Sequence, residues 1–358
     1  MEPYKAKKLP FEYNMSSELL RLLCDAKETY GEYKGYLKNM SFDYKYYLES
    51  SFINDIFYSF KVDNAKFTKE DMFFMPYKLN NNNVIEFNNI KKALVIGLSQ
   101  TSVNKFSIDI YNKLHKILFL SCKKDNLTKG SGHLRKTQTF ILKPGLAGSS
   151  VSFIPPVYTE LNGLLKNLCE YINNTEDDPF ISTAITHFQF EKLHPYVSGN
   201  GKLGRLIIPI QLSYYKKEPP ILFLSESIEE LRNTYFTLLS ATNELDFEKF
   251  IKFILQCIIN QCNLNIKKIK KLNKIYENDL ESFKKEIGGT TIYKVYPVII
   301  KNIVFTTNDI VTECKLHINS VNKVLNKLVE NGLLIKEKKK GTNRVTFCYK
   351  NMYDVFVS

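Results

Sequence analysis

Twelve residues constrain the fold of this chain more than any other stretch: His194-Pro-Tyr-Val-Ser-Gly-Asn-Gly-Lys-Leu-Gly-Arg205. Pro195 ends one helix, a Gly-Asn-Gly turn follows, and the sequence predicts a new helix that begins near Lys202. Backbone N–H groups therefore converge where the helix dipole is positive, which makes the turn an anion site. Lys202 and Arg205 stand three positions apart and share one helix face, where they can hold phosphate oxygens.

His194 lies at the edge of the same turn, and the ordinary pKa of histidine suits it to take a proton from an attacking hydroxyl. A base, an anion site and two cations predict phosphoryl or nucleotidyl transfer. A Walker A loop is excluded because Tyr196 stands where its first Gly is required and Leu203 where its Ser or Thr is required. A zinc site that uses His187 and His194 is disfavoured, because a proline separates them and no third ligand is evident.

A length of 358 residues favours two or three structural units. With 44% hydrophobic and 24% charged residues, the chain is not predominantly disordered. It contains no apolar run long enough to span a bilayer and no secretory signal, so we expect a cytoplasmic protein without a membrane partner. The seven scattered cysteines form no Cys-x-x-Cys pair and favour reduced thiols.

The net charge of +13 is concentrated near the C-terminus. Residues 265–358 contain 18 Lys and Arg against 9 Asp and Glu, a net charge of +9. Such a distribution is typical of a terminal module that binds polyanions, although a solvated lysine-rich surface gives the same count.

Hydrophobic periodicity predicts four consecutive segments. They are a helical N-terminal layer at 1–95, a helical core at 96–265, a linker or helix at 266–290 and a C-terminal module at 291–358. Within the core we expect a β-hairpin with strands at Thr137–Ile141 and Val151–Ile154. We also expect helices at Tyr158–Asn173, Pro179–Leu193, Gly204–Tyr215, Ile228–Ala241 and from Phe247 onward. The last module has helix, helix, helix and two strands, Leu333–Glu337 and Arg344–Tyr349, which is the winged helix-turn-helix order.

The motif resembles that of the Fic/DOC family, His-Pro-Phe-x-(Asp/Glu)-Gly-Asn-Gly-Arg-x-x-Arg. In this chain Tyr196 replaces the Phe, Ser198 replaces the acid and Lys202 replaces the first Arg. The resemblance extends to about residue 262 and includes three further stretches, Gly132-His-Leu-Arg135, Phe153-Ile-Pro-Pro156 and His187-Phe-Gln-Phe-Glu191. It implies a mainly α fold, a Fic-type helical bundle with one β-hairpin flap, here followed by a C-terminal winged helix-turn-helix domain.

For the family, the motif implies transfer of AMP from ATP to a hydroxyl of a target protein. Carried onto this chain, the resemblance makes His194 the catalytic base. It assigns the nucleotide phosphates to Gly199, Asn200, Gly201, Lys202 and Arg205, and the adenine pocket to Tyr235 and Asn243. The hairpin 131–154 is similar to the flap on which the target protein docks by adding a strand.

The departures from the motif affect charge. The family's acidic residue binds Mg²⁺, whereas Ser198 offers a neutral hydroxyl, so we expect weaker affinity for Mg²⁺ or Mn²⁺. Lys202 keeps the positive charge but lacks the bidentate fork of arginine. The segment Ser59-Phe-Lys-Val-Asp63-Asn64 resembles the family's inhibitory segment, with Asp63 in place of the Glu that pairs with the last Arg of the motif. An ordinary surface aspartate is the alternative interpretation of Asp63.

Three functions follow. The first is a protein adenylyltransferase. The second is a pseudoenzyme that binds nucleotide or peptide without turnover. The third is a DNA-binding regulator in which Ser320–Glu330 is the recognition helix, with Lys323 and Lys327 on one face, and Lys338–Arg344 is the wing. A protein-docking or dimer-contact role for this module is the alternative to DNA binding. A homo-oligomer is a further expected partner arrangement.

Overall fold

The structure is a computed structural model that describes residues 2–65, 68–78, 82–122, 130–145, 148–240, 246–338 and 344–357. The α-helices are α1 Ser17–Lys38, α2 Tyr44–Val62, α3 Asn82–Val103, α4 Ile108–Leu118, α5 Leu161–Asn174, α6 Pro179–Leu193, α7 Asn200–Lys216, α8 Ser225–Glu230, α9 Arg232–Ser240, α10 Asp246–Ile287, α11 Ile292–Asn302, α12 Thr307–Cys314, α13 Ile318–Glu330 and α14 Lys350–Val357. The strands are β1 Ile141–Gly145, β2 Gly148–Phe153, β3 Val304–Phe305, β4 Ile335–Glu337 and β5 Thr346–Cys348, and short 3₁₀ helices lie at Lys69–Tyr77, Tyr158–Glu160 and Gly289–Thr291.

The predicted mainly α class is confirmed, because helices far outnumber strands among the described residues. These residues form two compact units, each built from separated stretches of the chain. Unit 1 contains 1–28, 58–65 and 85–261, and unit 2 contains 29–57, 66–84 and 262–358. The residues of the predicted N-terminal layer are thus divided between the two units.

Helix α6 is the central helix of unit 1. Each residue from Phe180 to Leu193 is buried, which is expected of a helix that other elements surround. The side chain of Asp178 caps its start by accepting a hydrogen bond from the Phe180 N–H at 2.9 Å, and Pro179 occupies the first turn. Helices α5 and α7 pack against α6, so the turn between α6 and α7 is fixed at both ends.

The hairpin consists of β1 and β2 in antiparallel pairing, with Ile141 opposite Phe153 and Gly145 opposite Gly148. The predicted first strand, Thr137–Ile141, was placed too early. In the structure, side chains bind the backbone on both sides of the hairpin base: Arg135 donates to the Thr137 carbonyl at 3.1 Å, and Gln138 donates to the Pro155 carbonyl at 2.9 Å. The ladder therefore begins only at Ile141.

Several predicted helices have different bounds: the helix expected at Tyr158–Asn173 is α5, Leu161–Asn174, and the one expected at Gly204–Tyr215 is α7, Asn200–Lys216. The single helix expected at Ile228–Ala241 is two helices, α8 and α9, because Leu231 between them has φ −107° and ψ 26°, outside helical geometry. The helix expected from Phe247 is α10, which continues to Ile287. No helix in the described ranges is long and apolar enough to cross a bilayer.

In unit 2 the order is α11, β3, α12, α13, β4 and β5, and the three strands form an antiparallel sheet in the order β3-β5-β4. Thr306 and Asp309 form a capping box at the start of α12. The assignment of these elements to a winged helix-turn-helix stays a prediction. Most of the predicted wing, residues 339–343, lies outside the described residues. Helix α14 follows, with Phe356 against Phe73 at a ring-centroid distance of 5.5 Å.

Candidate nucleotide-phosphate site

The turn between α6 and α7 is held by Asn200. Its side-chain oxygen accepts a hydrogen bond from the Tyr196 N–H at 2.9 Å, and its amide donates to the Tyr196 carbonyl at the same distance. The side chain is 1% exposed. Asn200 therefore closes the loop on itself, and its side chain is committed to the protein backbone. The part of Asn200 that could bind a phosphate is its backbone N–H at the start of α7.

His194 ends α6 in the left-handed conformation, with φ 44° and ψ 59°. Such a conformation is costly for a residue with a Cβ atom and persists where neighbours impose it. Arg135 supplies that constraint. Its Nε donates to the His194 carbonyl at 2.9 Å, and its backbone N–H donates to the Pro195 carbonyl at 2.9 Å. Arg135 thus fixes the backbone on which His194 is carried.

The imidazole of His194 is neutral at physiological pH. Burial and the nearby Arg135 guanidinium together lower its pKa from 6.5 to about 4, although the backbone carbonyl of Glu191 and the carboxylate of Asp63 oppose the shift. A neutral imidazole has a free lone pair. His194 can therefore accept a proton from a hydroxyl, as a general base must.

A second histidine, His115 on α4, holds the motif loop. Its Nδ1 accepts a hydrogen bond from the Gly132 N–H at 2.9 Å, so its Nε2 carries the proton and donates to the Ser198 carbonyl at 2.9 Å. Its ring stacks on Tyr196 with centroids 3.9 Å apart, and the Tyr196 hydroxyl donates to Asn112 at 2.9 Å. Tyr in place of the family Phe is therefore accommodated by a polar partner.

Ser198 occupies the position at which the family has its metal-binding acid. Its hydroxyl oxygen is buried and has no hydrogen-bond partner in the described structure. One neutral oxygen is a weak donor for Mg²⁺ or Mn²⁺, and no group of three His, Cys, Asp or Glu within the described ranges could hold a metal ion. The residues present do not form a divalent metal site of their own.

Arg205 is bound by the segment 59–64 at the end of α2. Its Nε donates to the Ser59 hydroxyl at 2.9 Å, and its Nη2 donates to the Ser59 carbonyl at 2.8 Å and to the Asp63 carboxylate at 2.9 Å. The Arg205 side chain is 2% exposed. Asp63 therefore reaches Arg205 although it is one methylene shorter than glutamate. Asn64 follows with φ 61°, the left-handed conformation that ends the segment.

Asp63 also lies beside the start of α7. A Cβ atom added to Gly201 would come within 2.9 Å of the Arg205 Nη1 and within 3.3 Å of the Asp63 Oδ1. The Asp63 carboxylate is thus placed where a helix N-terminus favours an anion. Gly199, with φ 75°, has no room for a side chain either, because the ring of Phe119 lies 2.6 Å from its Cβ position.

Lys202, the other cation of the motif, is paired with Glu86 on α3. Its Nζ lies 2.5 Å from the Glu86 Oε2 and 4.3 Å from the centroid of the Phe60 ring. The side chains of Lys202 and Glu86 are 17% and 4% exposed. The sequence analysis did not identify Glu86, since a single carboxylate in an otherwise ordinary helix carries no local signal.

Tyr235 lies in the core beneath this site. Its hydroxyl is 3.0 Å from the Nε2 of His187, and the residue is 1% exposed. Burial lowers the pKa of His187 to about 3. Burial also raises the pKa of Tyr235 well above 10, and the nearby Glu191 adds to that rise. The structure therefore places Tyr235 among buried side chains. Asn243, its predicted partner in the adenine pocket, lies outside the described residues.

The comparison with known proteins is consistent with this geometry. Residues 105–212 match the model of the Fic/DOC family. The chain therefore carries a Fic/DOC family domain, and the matched range contains the turn between α6 and α7. A crystal structure of a Fic family protein from Desulfovibrio desulfuricans G20 is similar to this chain with a TM-score of 0.61 and 16% identity, over 94% of this chain and 97% of that chain. Fic-1 from C. elegans gives a TM-score of 0.52 at 16% identity over 70% of this chain and 72% of that chain.

Two curated relatives are each named protein adenylyltransferase Fic. The relative from Drosophila grimshawi is 25% identical over 129 residues, which are 35% of this chain and 24% of the relative. The relative from Drosophila yakuba is 27% identical over 107 residues, which are 29% of this chain and 21% of the relative. The chain thus matches less than a quarter of the length of these proteins.

Proposed function

We propose that this protein is a protein adenylyltransferase that transfers AMP from ATP to a hydroxyl side chain of a target protein. The observation that carries the proposal is the placement of a neutral His194 at the end of α6, directly before the turn that leads into α7, the helix that bears Lys202 and Arg205. A base and a phosphate-binding helix end are the two parts that nucleotidyl transfer needs. The distant relatives named protein adenylyltransferase support the same reaction class.

In the proposed reaction the target hydroxyl oxygen attacks the α-phosphorus of ATP. A new P–O bond forms, the bond from the α-phosphorus to the oxygen that bridges to the β-phosphorus breaks, and pyrophosphate leaves. His194 accepts the hydroxyl proton on its imidazole. The backbone N–H groups at the start of α7 and the guanidinium of Arg205 stabilise charge on the phosphates. The flap 131–154 is the proposed docking edge for the target, through β-strand addition.

Asp63 is proposed to restrain this activity. Its carboxylate is bound to Arg205, so a phosphate that needs Arg205 must displace it. The hydroxyl and the carbonyl of Ser59 accept hydrogen bonds from the same guanidinium, so Arg205 is held by Ser59 as well as by Asp63. Asp63→Gly leaves Arg205 available to a nucleotide phosphate while Ser59 continues to orient it.

Intact-mass spectrometry after incubation with ATP and Mn²⁺ tests the proposal. We expect an AMP-sized adduct on the protein or on an added target, absent in His194→Ala and increased about tenfold or more in Asp63→Gly, since a charge-assisted pair no longer competes. Ser198→Asp tests whether the hydroxyl at that position limits the rate. Nucleotide binding without an adduct in any variant would instead support the pseudoenzyme.

A second candidate function is DNA binding by unit 2. The exposed face of α13 carries Asn319, Ser320, Asn322, Lys323 and Asn326, and no acidic residue interrupts it before Glu330. Lys327, also predicted to contact DNA, is paired with Glu286 at 3.1 Å. This exposed polar helix face supports contact with phosphates or base edges.

Fluorescence anisotropy with duplex DNA at several salt concentrations tests the second candidate. We expect affinity to fall steeply with salt, and Lys323→Glu to weaken binding about tenfold. Lys274→Glu on α10 makes the same charge change outside α13 and serves as the control. Equal effects of the two substitutions would mean that DNA is attracted by the overall positive charge and not bound by α13.

A further inference from the structure

Glu86 contacts the motif from a part of the sequence that the motif does not predict. It lies on α3, 116 positions before Lys202, and both residues belong to unit 1. The carboxylate is 4% exposed and the Lys202 side chain 17% exposed, so both charges are largely removed from water. A pair of this kind is strongly coupled, since removing either partner leaves a buried charge without compensation.

The surroundings of Lys202 reinforce this pair. The ring of Phe60 lies 4.3 Å from the Lys202 Nζ, within the range of a cation–π interaction. Phe60 belongs to the same segment 59–64 that supplies Ser59 and Asp63 to Arg205. The ammonium group is therefore held by a carboxylate and an aromatic ring, both from elements other than α7.

Each cation of the motif consequently has a carboxylate of its own. Asp63 pairs with Arg205, and Glu86 pairs with Lys202. The two pairs differ in exposure, because the Asp63 side chain is 32% exposed and the Glu86 side chain only 4%. Asp63 lies in the turn after α2 and is partly exposed, whereas Glu86 lies within α3 and is buried. A ligand that displaces Asp63 from Arg205 therefore still meets Lys202 paired with Glu86.

We propose that Glu86 determines how many phosphate charges the site accepts. The inference deepens the proposed function, because it concerns the nucleotide that this same site binds. A phosphate that approaches Lys202 meets a fixed negative charge at hydrogen-bond distance from the ammonium group. The repulsion between the Glu86 carboxylate and the ligand increases with the number of phosphate charges on the ligand. Glu86 thus disfavours long polyphosphate chains relative to short ones.

Isothermal titration calorimetry with AMP, ADP, ATP and inorganic tripolyphosphate tests this inference. Wild type, Glu86→Gln, Asp63→Gly and the double variant are compared. Glutamine keeps the size of the side chain and an oxygen that Lys202 can reach. We expect Glu86→Gln to tighten ATP and tripolyphosphate binding by about tenfold or more, with the largest gain in the Asp63→Gly background, and to change AMP binding little.

Two controls separate this role from a structural one. Glu170→Gln on α5 removes the same charge from an exposed residue and should leave all four affinities unchanged. In Lys202→Met the further change Glu86→Gln should still favour the longer ligands, since the charge of Glu86 acts on the phosphates with or without Lys202, whereas loss of the effect would make Glu86 only a structural partner of Lys202. Thermal unfolding of each variant confirms that it folds.

The outcomes are distinct. An unchanged ratio of ATP to AMP affinity in folded Glu86→Gln overturns the inference, and so does an equal loss for all four ligands, which would make Glu86 a structural residue. If tripolyphosphate binding tightens in Glu86→Gln while no variant forms an AMP adduct, the role of Glu86 stands and the transferase proposal fails. If adducts form and the affinities do not respond to Glu86→Gln, the transferase proposal stands and the role of Glu86 fails.

Discussion

At the scale of single residues, the carboxyl group of Glu191 is unusual because it is buried beside Arg205 and yet one of its oxygens has no hydrogen-bond partner among the described residues. Burial raises its pKa from 4.5 to about 7, an effect that Arg205 opposes and Asp63 supports. The folded pKa lies above the unfolded value. As the pH rises from about 4.5 to about 7, Glu191 ionises in the unfolded state but stays protonated in the native state, so the native state loses stability.

Glu191→Gln removes this ionisation and should stabilise the protein most above pH 7. We expect a gain of about 2 kcal/mol in the free energy of unfolding at pH 8 relative to the gain at pH 5. Urea unfolding followed by circular dichroism at the two pH values measures it. An equal effect at both pH values would show that Glu191 does not titrate between them.

Arg135 is a positioning residue for His194. Besides the His194 carbonyl, it donates to the carbonyls of Thr137 at 3.1 Å and Pro156 at 2.5 Å. Arg135→Met leaves three carbonyls without this donor and should reduce the free energy of unfolding by about 3 kcal/mol or more. Arg135→Lys retains one charged donor and should be less destabilised. A loss below about 1 kcal/mol in Arg135→Met would mean that water or another side chain replaces the guanidinium.

Local chemistry was predictable at this scale wherever the participants are close in sequence. The window from His194 to Arg205 predicted the turn and the helix start because Pro, Gly and Asn restrict the backbone directly. The pairing of Asp63 with Arg205 was an expectation from resemblance, and its reach depends on where α2 ends in space. Glu86 and His115 could not be identified, since a carboxylate or imidazole on an ordinary helix gives no pattern until the fold brings it to the loop.

At the scale of elements, Gly204 allows α7 to pack against α6. A Cβ atom at this position would lie 2.2 Å from the Glu191 Oε1 and 3.2 Å from both His187 and Phe190. These contacts come from α6, whose residues in this region are all buried. The neighbouring side chains therefore have little space into which they can move.

Gly204→Ala should destabilise the protein by about 1–3 kcal/mol because it overpacks this helix contact. The matched control is Gly163→Ala on α5, where a Cβ atom meets nothing within 4 Å. There the substitution should stabilise by about 0.5–1 kcal/mol, since alanine favours the helix. Thermal unfolding of both variants measures the difference, and effects of the same sign would refute the packing argument.

Helices α5, α6, α7 and α10 followed from periodicity, but some element ends did not, and α3 and α14 were not predicted. The break between α8 and α9 at Leu231 falls within a continuous helical pattern, and neither Pro nor Gly marks it. The first hairpin strand begins late because Arg135 and Gln138 bind backbone carbonyls around the hairpin base. The late start of the strand depends on these side-chain contacts, and residue propensities therefore do not reveal it.

At the scale of the whole molecule, the site is assembled from distant stretches that the fold places in one unit. Asp63 after α2 and Glu86 on α3 contact the first turns of α7, and His115 on α4 contacts the turn between α6 and α7. Two imidazoles near the site, those of His115 and His187, are buried, and the imidazole of His194 is half-buried. The pH dependence of folding therefore reports on the site as a whole rather than on one residue.

The three histidines of this site share one feature, a pKa that burial lowers. The pKa is about 4 for His115, about 3 for His187 and about 4 for His194, against 6.5 when exposed. Because the folded values lie below the unfolded one, their contribution to stability is complete above pH 6.5 and is lost as the pH falls toward 4. Glu191 acts in the opposite direction between about 4.5 and 7.

Three histidines against one glutamate leave a net difference of two protons between the unfolded and folded states from about pH 6.5 to 4.5. As the pH falls through that window, these groups alone should therefore lower the free energy of unfolding by about 3 kcal/mol for each pH unit. Urea unfolding followed by circular dichroism at pH 7, 6 and 5 measures the slope. His187→Gln, which keeps a polar partner for Tyr235, should reduce it by about 1.4 kcal/mol per unit. His133→Gln, at an exposed histidine, should leave it unchanged, whereas an unaltered slope in His187→Gln would show that His187 is protonated in the native state.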